Sequence, residues 1–165
     1  MIYNGHTENF IKKMYMNLGI TNSKQLDFKN IAQMLTIQIF YWNRPSQALF
    51  DEYRAFILLN EQLTPSQLWQ DFCHELGHIL LHTGQQHQMT NSWIKYLENK
   101  ANNFMYHACM PTFMLDDLIE NDSSLSVKDL QLIFNVEYEF AEKRLTQYFN
   151  NKNMPKWNSA FLLYF

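Results

Sequence analysis

Apolar positions recur along the chain with two periods. Phe10, Ile11, Met14 and Leu18 repeat at three- and four-residue spacing, which predicts a short amphipathic helix over Thr7 to Leu18 that Gly19 closes. Phe28, Ile31, Ala32 and Leu35 predict a second helix over Leu26 to Leu35. The pattern then turns β-branched and aromatic. Ile37 to Trp42, Ala48 to Phe50 and Ala55 to Leu59 read as three short strands, with the turn Asn43-Arg44-Pro45-Ser46 between the first two. Helical spacing resumes at Thr64-Pro65, a cap and first-turn proline, and stops near His82-Thr83-Gly84. A polar loop, Gln85 to Ser92, precedes a helix from about Trp93 to Met110, ended by Pro111. Met114 to Ile119, a helix beginning at the Ser126 cap, and Tyr138 to Phe149 complete the pattern.

Those elements predict an α+β fold, with a small, mostly antiparallel three-stranded sheet packed against a central helix and further helices. The expected division is a domain over 1–111, built on the sheet and the central helix, and a helical region over 112–165 packed on it. The apolar end, Ala160 to Phe165, is expected to pack against the domain or a partner.

Candidate chemistry lies on the central helix. At about 100° per residue, Leu68, Trp69, Phe72, Cys73, Leu76, Ile79 and Leu80 share one arc, whereas Asp71, His74, Glu75, His78 and His82 share another. His74-Glu75-Leu76-Gly77-His78 is an HExxH motif. Residues four apart on a helix lie about 40° apart around the axis and about 6 Å along it, so His74 and His78 can hold one metal ion from the same side. Glu75 flanks them as a general base rather than a ligand. A chance five-residue match would not sort its ligand-type side chains onto one face.

A catalytic zinc needs a third protein ligand and one open position. Glu98 falls inside the apolar arc of the following helix, between Met105 and Cys109. A carboxylate there is costly unless it is paired or binds a metal. His82 is about 12 Å along the same rod from His74 and cannot close around the same ion. His87 sits in the polar loop, and His107 lies outside the apolar stripe of its helix. The metal set is therefore His74, His78 and Glu98, with Glu75 catalytic. Zn2+ is the expected ion, and Mn2+ and iron share such ligands. Asp71 and Asn102 are candidates for orienting the histidines, and Tyr96, Tyr106 and His107 for stabilising an oxyanion.

Composition narrows the setting. The chain has 165 residues, 47% of them hydrophobic, enough for one packed domain. No apolar run approaches the ~20 residues of a membrane span, and Met1 to His6 lacks the regions of a signal peptide, so a cytoplasmic protein without membrane attachment is expected. Cys73 and Cys109 form no spacing motif, and Cys73 lies on the core arc. Net charge is -3, with no basic excess to announce nucleic acid.

The chain resembles the ImmA/IrrE family of zinc metallopeptidases. The resemblance rests on His74-Glu75-Leu76-Gly77-His78-Ile79-Leu80-Leu81-His82, on Glu98-Asn99-Lys100-Ala101-Asn102-Asn103-Phe104, and on Met110-Pro111, and it spans roughly residues 20 to 150. It implies His74, His78 and Glu98 as ligands and Glu75 as the base. Met105-Tyr106-His107 departs from the small residues usual in the family. The resemblance also implies a protein substrate, a helix-turn-helix repressor, whose cleavage derepresses a prophage or mobile element. The alternative is an antirepressor that grips the repressor without cutting it, around a structural metal site.

The segment from Ser126 to Phe149 has the outline of a helix-turn-helix, which the resemblance also places there. Its second helix carries Glu137, Glu139 and Glu142 against Lys143 and Arg144. That balance argues for a structural or partner-docking unit and against contact with DNA.

Overall fold

The computed structural model describes residues 5–81 and 90–152. Its elements run in the order α1 (His6–Asn17), α2 (Phe28–Met34), β1 (Ile37–Trp42), β2 (Gln47–Phe50), β3 (Ala55–Asn60), α3 (Pro65–Leu81), α4 (Asn91–Cys109), α5 (Thr112–Asn121), α6 (Val127–Phe134) and α7 (Tyr138–Asn151). A single 3-10 turn, Ser23–Gln25, lies between α1 and α2. His82, His87 and the apolar end Ala160 to Phe165 lie outside the described residues.

Local chemistry sets the ends of these elements. Gly19 adopts φ +72, a left-handed conformation that costs glycine nothing, and it ends α1. The Asp27 side chain caps α2 by accepting from the Asn30 amide at 2.8 Å. Thr64 and Gln67 cap α3 reciprocally: the Gln67 amide donates to Thr64 Oγ1, and the Thr64 amide donates to Gln67 Oε1. Thr90 caps α4, and Ser126 with Asp129 forms a capping box on α6.

The α+β class is as the pattern predicts, but the sheet is mixed rather than mostly antiparallel. Strand order is β1-β3-β2. β2 and β3 pair antiparallel, with Ala48 opposite Ile57, whereas β1 and β3 pair parallel, with Ile39 opposite Ile57. The reason is the path of the turn after β1. It passes over the end of β3, where the Glu61 amide donates to the Trp42 carbonyl and the Asn60 amide donates to Ser46 Oγ. β3 therefore takes the middle position. The second turn closes tightly, because Asp51 Oδ1 accepts from the amides of Tyr53 and Arg54.

One face of the sheet joins the core. Ile37, Ile57 and Leu59 are buried with Phe72, Cys73 and Leu76 of α3 and with Ile31 and Ala32 of α2. α4 lies alongside α3, and Gly77 sets their spacing. A Cβ at Gly77 would stand 3.1 Å from a Phe104 ring carbon and 3.2 Å from Ala101 Cα. Tyr15 of α1 donates to the Ala108 carbonyl at 2.8 Å, anchoring the first helix on the end of α4. Cys73 and Cys109 are both buried free thiols.

Two polar clusters fasten the C-terminal helices. Glu137, just before α7, accepts from Gln67 Nε2 at 2.8 Å and Gln70 Nε2 at 3.1 Å, and its amide donates to Gln70 Oε1 at 2.8 Å. The α6–α7 turn is thus held on the first half of α3. Arg144 counts with Lys143 among the cations that the second helix offers, but it is not available to a partner. It is wholly buried, donating from Nε to the Met110 carbonyl at 3.0 Å and from Nη2 to Thr112 Oγ1 at 2.9 Å. Thr112 Oγ1 in turn donates to Glu8 Oε1 at 2.9 Å, so α1, α5 and α7 meet in one network. Burial pulls the guanidinium down to about 10, against the opposing pull of Glu8, and it remains charged at neutral pH.

Candidate metal centre

α3 places His74 and His78 one turn apart on the side facing α4, as four-residue spacing requires. Their Nε2 atoms are 3.1 Å apart. Glu98 reaches across from α4, with Oε2 at 3.3 Å from His74 Nε2 and Oε1 at 3.3 Å from His78 Nε2. Counting one donor atom per residue, all three lie within 4.8 Å of one another. Tetrahedral ligation at 2.0–2.1 Å separates neighbouring ligand atoms by about 3.3 Å. The donor chemistry (two imidazoles and one carboxylate) and the separations fit a divalent ion such as zinc. The close approach at Gly77 makes this reach possible, since Gly77 lies between the two histidines and against Ala101, three residues beyond Glu98.

Glu98 differs from its sequence reading in one respect. Its side chain is 47% exposed rather than core-facing, because the arc it shares with Met105 and Cys109 opens to solvent at this level of α4. His78 is buried and His74 nearly so, leaving an opening on the Glu98 side.

Glu75 is buried and points at the sheet. The amide of Ala48, on the outer edge of β2, donates to Glu75 Oε2 at 2.7 Å. Burial raises the Glu75 carboxyl to about 7, with smaller upward pushes from Asp71 and Glu98, while the Ala48 bond pulls the other way. A cation held by the three donors would also pull it down. The site thus carries a buried carboxyl group between a sheet edge and a metal-type donor set.

Of the orienting candidates, Asp71 is near enough to act on the Glu75 charge, and Asn102 is exposed. The oxyanion candidates are drawn elsewhere. Tyr96 lies about 160° around α4 from Glu98, stacked on Trp93 at 5.0 Å under Lys100. Tyr106 stacks on Phe140 at 4.5 Å. His107, although off the apolar stripe of α4, is buried against Glu8 and Arg144 on the far side of the helix. Sequence reasoning missed Ala48, because a backbone amide leaves no side-chain signal.

Residues 21–146 match the peptidase family M78, described as the IrrE N-terminal-like domain. The phage-like element PBSX protein XkdA of Bacillus subtilis is 35% identical over 151 residues, covering 91% of this chain and 76% of that protein. YqaB, an uncharacterised protein of the same organism, is 33% identical over 147 residues, covering 88% of this chain and 86% of its own. Among solved structures, a Mycobacterium tuberculosis transcriptional regulator superposes over 87% of this chain with a TM-score of 0.65. At 14% identity that likeness concerns the fold alone, and this chain spans 47% of the regulator's length.

Proposed function

Because the chain belongs to the IrrE N-terminal-like peptidase family, we propose that it is a metal-dependent endopeptidase that cleaves a helix-turn-helix repressor and so derepresses a prophage or mobile element. The observation that carries this reading is the meeting of His74, His78 and Glu98 from two helices, with Glu75 held beside them by the sheet edge. A structural site would need no such base and would use four protein ligands. The phage-element setting is supported by the likeness to the PBSX protein.

In this mechanism His74, His78 and Glu98 hold Zn2+ or Mn2+. When bound, the ion lowers the pKa of a water and polarises the scissile carbonyl. The substrate lies as an extended strand along the outer edge of β2, held by main-chain hydrogen bonds. Glu75 accepts the proton of the attacking water, then delivers it to the amide nitrogen as the C–N bond breaks and an amine leaves. The division that goes with this reading is a catalytic unit over 1–111 and a C-terminal region over 112–165, whose described helices α5 to α7 pack on it. The reaction takes place in the cytoplasm, where such a repressor acts.

The deciding experiment incubates the purified protein and Zn2+ with the repressor encoded beside its gene, followed by gel and mass analysis. Two fragments are expected, and none with Glu75→Gln. Intact repressor in a stable complex would instead favour the non-cleaving antirepressor.

A further inference from the structure

The sheet has a second face. Strand alternation sends Ile37, Ile39, Ile57 and Leu59 inward, and sends Phe40, Trp42, Leu49, Phe56 and Leu58 outward. The register brings the outward five together: Phe40 is opposite Leu58, Phe56 is opposite Leu49, and the Phe40 and Phe56 rings are 6.1 Å apart. None of the five joins the core cluster. Phe40 is 50% exposed and Leu49 is 46% exposed. Among the described residues, α2 and α3 pack on the inward face, and no helix covers the outward one.

Two arginines stand at opposite ends of this strip. Arg54 immediately precedes β3, with its guanidinium carbon 5.9 Å from the centre of the Phe56 ring. Arg44 lies in the turn that passes over the far end of β3, 5.9 Å from the Trp42 ring. At about 3.3 Å per residue, the six residues of β3 span close to three helical turns. We propose that this face is a docking site for a partner protein, and that the docked element is an amphipathic helix of about three turns with an acidic residue near each end. Its apolar stripe lies on Phe40, Phe56, Leu58 and Leu49, and its carboxylates meet Arg44 and Arg54. Aromatic and arginine side chains are the types that anchor such interfaces.

Charge complementarity selects this occupant. The guanidinium groups lie over the rings of Trp42 and Phe56, on the faces that nucleobases would need for stacking, and the chain carries a net charge of -3. Asp51 pairs with Arg54 at 3.5 Å, but both are exposed. Such a pair is weak in water, and a desolvated partner carboxylate displaces it. The proposal is independent of peptide cleavage, since none of these residues belongs to the metal centre.

The test titrates the intact protein into a fluorescein-labelled synthetic helical peptide of twelve residues, leucine-striped, with glutamate at both ends. A matched peptide carries lysine at both ends. Fluorescence anisotropy is expected to show the glutamate peptide binding at least tenfold more tightly. Arg44→Glu with Arg54→Glu should invert that preference, and Phe40→Ser should abolish binding of both peptides. Unchanged zinc affinity in all variants establishes that they are folded. Equal affinity for the two peptides, or no saturable binding, overturns the proposal. So does self-association of the wild type that Phe40→Ser removes, which assigns the face to a second copy. Binding of oligothymidylate lost in the same variants assigns it to nucleic acid and likewise overturns it.

Discussion

The amide of Ala48 and the carboxylate of Glu75 are joined by a 2.7 Å hydrogen bond that spans 27 residues of sequence. It ties the edge of the sheet to the motif helix at the residue proposed above as the proton acceptor. The bond holds Glu75 in one orientation, and burial keeps its affinity for a proton near neutrality.

Glu75→Gln preserves the size of this side chain and a carbonyl oxygen for Ala48, but removes the base. Repressor cleavage should fall by about 10²–10⁴-fold, the range for loss of a general base. Zinc content by elemental analysis should stay at the wild-type level. Retained cleavage would remove Glu75 from the mechanism.

Glu98→Ala takes away the one ligand proposed on α4. Zinc should raise the melting temperature of the wild type, by the equivalent of about 2.7 kcal/mol at a hundredfold excess over Kd. In the variant most of that shift should vanish. An equal zinc-induced shift in both proteins would show that the two histidines suffice.

The clustering of His74, His78 and Glu98 was legible in the sequence because it rests on side-chain type and helical period. His74 and His78 are fixed by four-residue spacing, whereas Glu98 stands out in the sequence as a core-facing carboxylate and is instead 47% exposed, facing the two rings from an arc open to solvent. A tally of charges on the second helix did not reveal that Arg144 is buried, since exposure of a charge on a helix depends on what packs beside it. Met110 and Thr112, which accept from Arg144, lie more than 30 residues away in sequence. Nor did strand composition reveal that β1 runs parallel to β3. That pairing follows from the turn passing over Asn60, a matter of chain path rather than residue type.

Gly77→Ala should destabilise the protein despite alanine's advantage in helices. The propensity gain is about 1 kcal/mol. Against it stands a Cβ 3.2 Å from Ala101 Cα and 3.3 Å from its carbonyl oxygen, backbone atoms that cannot swing aside. Overpacking of this kind costs about 1–3 kcal/mol. Pushing α4 outward also draws Glu98 from the imidazoles, so zinc affinity should weaken about tenfold or more by the ~1.4 kcal/mol-per-decade rule. Urea denaturation and zinc titration check the two effects, and unchanged zinc affinity would contradict the spacer role.

His107 should make the fold acid-sensitive. Its Nδ1 is 3.7 Å from Glu8 Oε1, too far for a hydrogen bond, and Glu8 is already engaged by Thr112. Burial, with repulsion from Arg144, drives the ring down from 6.5 to about 3. The unfolded chain therefore takes up a proton near pH 6.5 that the native state refuses until about pH 3. Stability should decline through that window as pH falls, by up to about 1.4 kcal/mol per unit. His107→Leu should flatten the acid limb of the urea midpoint against pH; an identical slope in both proteins would show that the ring is protonated in the native state.

The network of Glu8, Thr112 and Arg144 has a consequence during synthesis. The first helix hands its carboxylate to a residue of α5 whose other partner emerges 32 positions later. While α7 is still inside the ribosome, Glu8 cannot be buried without leaving its charge unanswered. A nascent chain halted before Arg144 should therefore keep α1 undocked, and the first 111 residues should gain their native resistance to proteolysis only after α7 has emerged.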